Sequence, residues 1–138
     1  MIAEHFDAVR AMIPSKYAVH DTDAGSEPVA PYLVLWGGDF QPFSVDVAAS
    51  RGEVEGSIGV TCVALMAGAA RQLQSTIAGL LDGKVVEVPG RHGFELTLTE
   101  TRPVLVDREV QIPTPGGGAR FPYYGVLLFR VETTEGSA

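Results

Sequence analysis

The chain has 138 residues, 46% of them hydrophobic, and 17 acidic against 10 basic residues give it a net charge of -7. That length suits one compact core and is too short to expect two domains. Its apolar runs are shorter than the roughly 20 residues a bilayer-spanning helix needs, so no membrane partner is expected, and its negative charge, with no basic stripe to offset it, opposes capture of phosphate backbones.

Ile2, Phe6, Val9 and Ile13 recur at helical spacing and Pro14 follows, which predicts a first helix ending there. The acids in the first seven residues break the positive-then-apolar order of a secretory signal, so the chain is expected to stay in the cytoplasm where it is made. Residues 17–20 make a short strand candidate, and the acidic, small-residue stretch 21–28 has turn chemistry throughout. Tyr32-Leu33-Val34-Leu35-Trp36, stopped by Gly37-Gly38, reads as a strand covered on both faces. Residues 39–56 mix Pro42, a short alternation from Phe43 to Val47 and a polar tract, and read as a long exposed excursion.

From Ser57 to Leu65 the pattern predicts a well-buried strand, with Ile58, Val60, Cys62 and Ala64 on one face and Thr61, Val63 and Leu65 on the other. Ala70, Leu73, Ile77 and Leu80 form a second helical stripe over 68–81, with Arg71, Gln74 and Ser75 left to water and Asp82-Gly83 as the exit. Residues 85–88 and 94–99 read as a hairpin around Pro89-Gly90-Arg91-His92-Gly93, with Phe94, Leu96 and Leu98 inward. Two strands follow over 104–110 and 124–132, joined by a loop over 112–120 too rich in Pro and Gly for regular structure. The fold expected is α+β: a mainly antiparallel mixed sheet with both helices packed on one face, in a single domain over residues 1–138.

Candidate chemistry is thin. His20-Asp21-Thr22-Asp23 could bind a metal or supply a general base, but a metal site needs three or four convergent ligands, and a solvated acidic loop is the simpler reading. His5, on a helix, and His92, in a turn, lack partners at ligand spacing and read as surface histidines. Gly116-Gly117-Gly118 lacks the Lys-Ser or Lys-Thr of a phosphate loop. Cys62, the only cysteine, permits no internal disulfide or cysteine-based zinc site. Its place on a buried strand face argues for packing rather than nucleophilic attack. Glu95, Glu100, Asp107 and Glu109 read as a solvated rim. No catalytic residue, cofactor or metal is expected.

Trp36 beside Gly37-Gly38, and Phe121-Pro122-Tyr123-Tyr124 at the opening of the last strand, are amphipathic aromatics next to flexible loops, the kind that anchor partner surfaces or cap a core. Loop character adds Arg51, Arg91, His92, Arg108 and Arg120, which could pair with carboxylates across a subunit boundary. These nine residues are the interface candidates.

Val60-Thr61-Cys62-Val63-Ala64, then Ala69-Ala70-Arg71, Leu80-Leu81-Asp82-Gly83 and Val88-Pro89-Gly90-Arg91, resemble the centre of tail terminator proteins from long non-contractile-tailed phages of actinobacteria. Val106-Asp107-Arg108, Pro122-Tyr123-Tyr124-Gly125-Val126 and Phe129-Arg130 are similar in type and order to that family's last hairpin, so the resemblance runs over most of the chain. It implies a virion protein that forms a homo-oligomeric ring, a hexamer, on the head-proximal end of the tail tube. The ring would stop addition of tube protein, offer a surface to the head connector, and let DNA only pass through its lumen. Three other readings stay open: another neck, head-completion or minor tail component; a small ligand-binding regulatory domain; and a small hydrolase using His20 and its neighbouring acids.

Overall fold

The computed structural model describes residues 2–23, 29–37, 41–43, 53–93, 95–114 and 116–135, with backbone alone at residues 2–3, 41–43, 53–54, 91 and 134–135. Helix α1 (Ile2–Ala11) carries Glu4 in its first turn and Arg10 in its last, the signs that suit the helix dipole. Arg10 also donates to the Val19 carbonyl at 3.2 Å, tying the helix to the first strand. Strands β1 (Val19–Asp21), β2 (Tyr32–Gly37), β3 (Gln41–Phe43) and β4 (Glu53–Ala64) precede helix α2 (Ala67–Leu81). After it come β5 (Arg91–Gly93), β6 (Thr97–Thr101), β7 (Leu105–Val106), β8 (Ile112–Pro113), β9 (Ala119–Arg120) and β10 (Tyr123–Glu135).

Eight of these strands form one sheet built on the two longest, β4 and β10, which pair antiparallel from Tyr123↔Ala64 to Thr133↔Val54. The far side of β4 takes β2 and then β3, and β1 adds to β2 in parallel. The far side of β10 takes β7, β6 and β5 in turn along its length. This is the expected α+β fold with a mainly antiparallel mixed sheet.

Both helices lie on one face of the sheet. Under them, Leu33 and Leu35 of β2, Ile58, Val60 and Cys62 of β4, and Leu127, Phe129 and Val131 of β10 join Val9, Ile77 and Leu81 in a single buried cluster. The alternation read in β4 therefore holds, and Cys62 is wholly buried.

Several expectations are corrected. The excursion expected over 39–56 contains β3 and the first turns of a longer β4, because the ladder with β10 continues four residues beyond the apolar part of the strand. Residues 44–52, with Arg51, lie outside those described. The hairpin expected around residues 89–93 is replaced by one bridge, Val85↔Glu95, while β5 and β6 each pair with β10. Leu96 is buried and Leu98 half-buried as expected, and Phe94 lies outside the described residues. The strand expected over 104–110 shrinks to β7, and the loop over 112–120 holds a small separate sheet, β8 with β9. Its tip uses three glycines with φ between 83° and 94°, a region L side chains rarely adopt.

Two polar residues expected in water are in the core. His5 is fully buried, and its Nε2 shares a 2.6 Å hydrogen bond with Oγ1 of Thr133, also fully buried. It sits four residues before Val9, so it belongs to the apolar stripe by position if not by type. Gln74 is 7% exposed because the buried side of α2 is centred on Ala70, Gln74, Ile77 and Leu81. Its Nε2 donates to the carbonyls of Arg102 (2.8 Å) and Val126 (3.2 Å). A Cβ on Gly125 would come within 2.8 Å of that amide, so the glycine makes the room.

Candidate functional site

The other face of the sheet carries no helix. Cross-strand pairing sets its side chains in rows: Tyr32–Val63–Tyr124–Leu105, then Val34–Thr61–Val126, then Trp36–Gly59–Leu128, and beyond them Ser57–Arg130 and Glu55–Glu132. The face grades from apolar at one end to charged at the other. At the charged end Arg130 donates to Glu55 at 2.6 Å and also to Glu132, and these partners hold its guanidinium more firmly protonated than usual. Arg130 and Glu55 are well exposed and Glu132 partly so, and the cluster contributes little to stability.

In the middle of the face the Trp36 ring lies flat over Gly59, where a Cβ would sit 2.3 Å from the indole. The indole N–H donates to Thr61 Oγ1 at 2.8 Å. Both polar atoms of this half-buried pair are thereby satisfied, and the ring is locked in place.

The apolar end forms a groove of about 200 Å³, floored by Tyr32, Val34, Val63 and Tyr124 and walled by Asp107, Val110 and Pro122. The wall is a turn stapled twice. Asp107 N–H donates to the Pro122 carbonyl at 2.8 Å, and the Asp107 carboxylate accepts from Glu109 N–H at 3.0 Å. Asp107 is half-buried rather than part of a solvated rim. Burial, and then the Asp107 charge, push the Tyr32 hydroxyl above its ordinary pKa. Ile112, 2% exposed, packs against Tyr32 and Val63, two of the groove's floor residues. Leu105 and Val110 remain 54% and 39% exposed at its rim.

The interface candidates do not converge on one patch. Trp36 and Tyr124 share the open face, two rows apart. Tyr123 pairs with Ala64 and so points with Gly125 and Leu127 to the helix side. The Arg108 guanidinium lies 5.8 Å from the centre of the half-buried Phe121 ring, and Arg120 is exposed on β9. Arg91 and the exposed His92 lie on β5, opposite Glu135 and Thr134. At ~3.3 Å per residue, that end of β10 is on the order of 30 Å from Tyr124, too far for one contact patch. Sequence reasoning missed Tyr32, Thr61, Asp107 and Ile112, whose common neighbourhood depends on strand register.

His20 stands edge-on to Tyr32 with ring centres 5.4 Å apart, and Asp21 accepts a 2.7 Å hydrogen bond from the Thr22 hydroxyl. Among the described residues no group of three or more His, Cys, Asp or Glu side chains could hold a metal ion. Burial pushes the Cys62 thiol up to about 12, which leaves almost no thiolate near neutral pH. Two wider hollows, of about 490 and 630 Å³, share Val85 and Glu87; His92 lines the first and Lys84 the second, among mostly aliphatic residues. No described helix is long and apolar enough to cross a membrane.

No protein-family model matches the sequence, and no curated protein does. Among solved structures, the chain is similar to one from the virion of a native gene transfer agent particle. Identity is 14%, the match covers 96% of this chain and 91% of that one, and the TM-score is 0.53. A second solved chain matches at 18% identity over 94% of this chain and 88% of that one, with a TM-score of 0.46. The first likeness shows a common fold along nearly the whole of both chains.

Proposed function

We propose that this chain is a structural protein of a phage-like virion and, within that class, a tail terminator that acts by assembly rather than by catalysis. The observation that carries the reading is the fold shared, nearly end to end, with a chain of a gene transfer agent virion. The ordered tail-terminator-like segments, from residues 60–64 to Phe129-Arg130, narrow it. A face with an apolar, aromatic end and exposed Leu105 and Val110 at its rim supports a role in subunit contact.

The mechanism is geometric. Each subunit presents one surface to the neighbour on one side and a different surface to the neighbour on the other, and the rotation between them closes into a ring, a hexamer, instead of continuing as a helix. Candidate contacts spread on the order of 30 Å along β10 suit such a head-to-tail arrangement better than a single self-complementary patch. The ring caps the head-proximal end of the tube, stops further tube protein adding, and receives the head connector. A net charge of -7 suits a subunit that DNA passes without being held.

The deciding experiment is electron microscopy of tails made with and without this gene. Overlong tails that fail to join heads, restored to normal by the added protein, are expected. Tails of normal length on joined particles would overturn the reading, and a neck or head-completion role would then require that joining alone fails.

A further inference from the structure

Helix α2 packs over β4 and β10, and a hollow of about 260 Å³ lies between it and the edge strand β6. Arg71, Gln74, Ser75 and Ala78 of α2, Thr101 of β6 and Leu127 of β10 line it. The helix residues are three, one and three positions apart, so they stand along one side of α2. Thr101 pairs with Leu127 and therefore turns its side chain to the helix face of the sheet.

Three groups at this hollow have bonding capacity that the described residues do not use. Arg71, the one charged residue of α2, is exposed and has no ion pair or hydrogen bond with a described residue in a chain of net charge -7. Gln74 is 7% exposed, and the carbonyls of Arg102 and Val126 both take bonds from its Nε2. That fixes the amide's orientation and leaves Oε1, an acceptor, with no described donor. The third group is the backbone of Thr101. Arg102 N–H donates to the Val126 carbonyl at 2.9 Å, so the alternation of an antiparallel ladder turns the Thr101 N–H and C=O away from β10, toward the open edge. Toward the start of β6 that edge is closed, because Leu98 N–H donates to Asp82 at 3.0 Å and Leu96 bonds with Gly83 and Lys84.

We propose that the hollow receives an extended acidic segment of a partner protein, which adds a short strand to β6 at Thr101 and seats a carboxylate against Arg71. The space is that of a side chain and is smaller than a typical small-molecule pocket. Arg71 supplies the planar fork that grips a carboxylate, with the Ser75 and Thr101 hydroxyls as further donors. A bare anion would leave Gln74 Oε1 and the Thr101 carbonyl without donors. A peptide brings backbone N–H groups for such acceptors together with its carboxylate, and strand addition of this kind draws affinity from main-chain bonds and selectivity from a side-chain pocket. The segment docks in this way whether or not the chain closes into a ring.

Titration of the full chain with a fluorescent, end-blocked peptide of alternating Thr and Glu tests this, with a Thr–Gln peptide and N-acetylglutamate as comparisons. Saturable binding by anisotropy is expected, together with slowed hydrogen exchange at the Thr101 amide. Arg71→Gln, an exposed position that should keep the parent's denaturation midpoint, is expected to weaken binding about tenfold, as is the Thr–Gln peptide. No saturation at about 1 mM peptide, equal binding by Arg71→Gln, or unchanged exchange at Thr101 would each overturn the proposal. Displacement of the peptide by an equal concentration of N-acetylglutamate would reduce the hollow to an anion site without strand addition, which also overturns it. Self-association that Arg71→Gln abolishes, with no peptide bound, would put a second copy there instead.

Discussion

Leu128 and Phe129 are neighbours in β10 that point to opposite sides of one sheet, and the two sides live by different rules. Phe129 is fully buried in the cluster beneath the helices, with Leu127 and Val131 beside it on the same face. Leu128 is half-buried on the open face, level with Trp36 and Gly59. The helix side is apolar from Leu127 to Val131, whereas the open side passes from Tyr124, Val126 and Leu128 to Arg130 and Glu132 within the same strand. A face meant only for water would be polar throughout, as on half-solvated antiparallel sheets. The apolar residues are confined to the end that the chain's own Ile112, Asp107, Val110 and Pro122 partly cover, and what remains exposed there is the surface that the proposed assembly would use.

The comparison is tested most severely by truncation on each side. Phe129→Ala removes a wholly buried aromatic side chain and is expected to cost about 3–5 kcal/mol, seen as a large drop in the denaturation midpoint, with assembly lost along with the fold. Leu128→Glu is expected to spare most of the stability and to remove assembly, read by denaturation and size-exclusion chromatography. If Leu128→Glu assembles normally, the open face is not a contact surface. Gly59→Ala acts between these extremes. Its methyl group collides with the Trp36 ring and breaks the hydrogen bond to Thr61, for an expected cost of about 1–3 kcal/mol. Because Trp36 is the only tryptophan, the displacement reads directly as a red shift in fluorescence. Unchanged emission would mean that the ring is not held over Gly59.

The helix-side half of this design was legible in the sequence because periodicity reports burial directly. Val9, Ile13 and Ile77, and the alternation from Ile58 to Cys62, are each in the core. Partner choice is what periodicity does not carry. Residues 85–88 and 94–99 look like a hairpin because they are adjacent, yet β5 and β6 find β10, more than 25 residues away, along edges left open by its great length. Strands of two residues, such as β7, β8 and β9, are too short to make any pattern. The open face was half legible. Trp36 and the cluster from Phe121 to Tyr124 show by type, but that Tyr32, Val63, Tyr124 and Leu105 form one row is a fact of register. His5 and Gln74 were missed for another reason: each occupies a stripe position with a polar side chain whose partners, Thr133 and the carbonyls of Arg102 and Val126, come from distant sequence.

Smaller effects sharpen the contrast within the open face itself. Arg130→Ala removes two exposed ion pairs and is expected to leave the denaturation midpoint almost unchanged, with any small shift fading at high salt. A clear fall in the midpoint that persists at high salt would mean that the charged end is part of the core's support.

The smallest effect expected at neutral pH is that of Tyr32→Phe, and its value lies in its sign at alkaline pH. Burial, with the Asp107 charge beside it, raises the Tyr32 pKa in the folded chain above the value of about 10 that it has when unfolded. The folded state therefore holds this proton more tightly, and the corresponding stability is fully present below the unfolded pKa and lost as pH rises through the folded one. Tyr32→Phe keeps the ring over the groove floor and deletes the ionising group. Its stability should match the parent's near pH 7 and fall less steeply once pH passes about 10. Asp107→Asn should move the parent's alkaline fall part of the way back toward the unfolded tyrosine's range, because it removes the second cause and leaves the first. Denaturation curves across the alkaline range for the three chains decide it. Coincident slopes for parent and Tyr32→Phe would mean that the groove is wet enough to ionise freely, and the apolar end of the open face would then differ from the charged end in composition but not in environment.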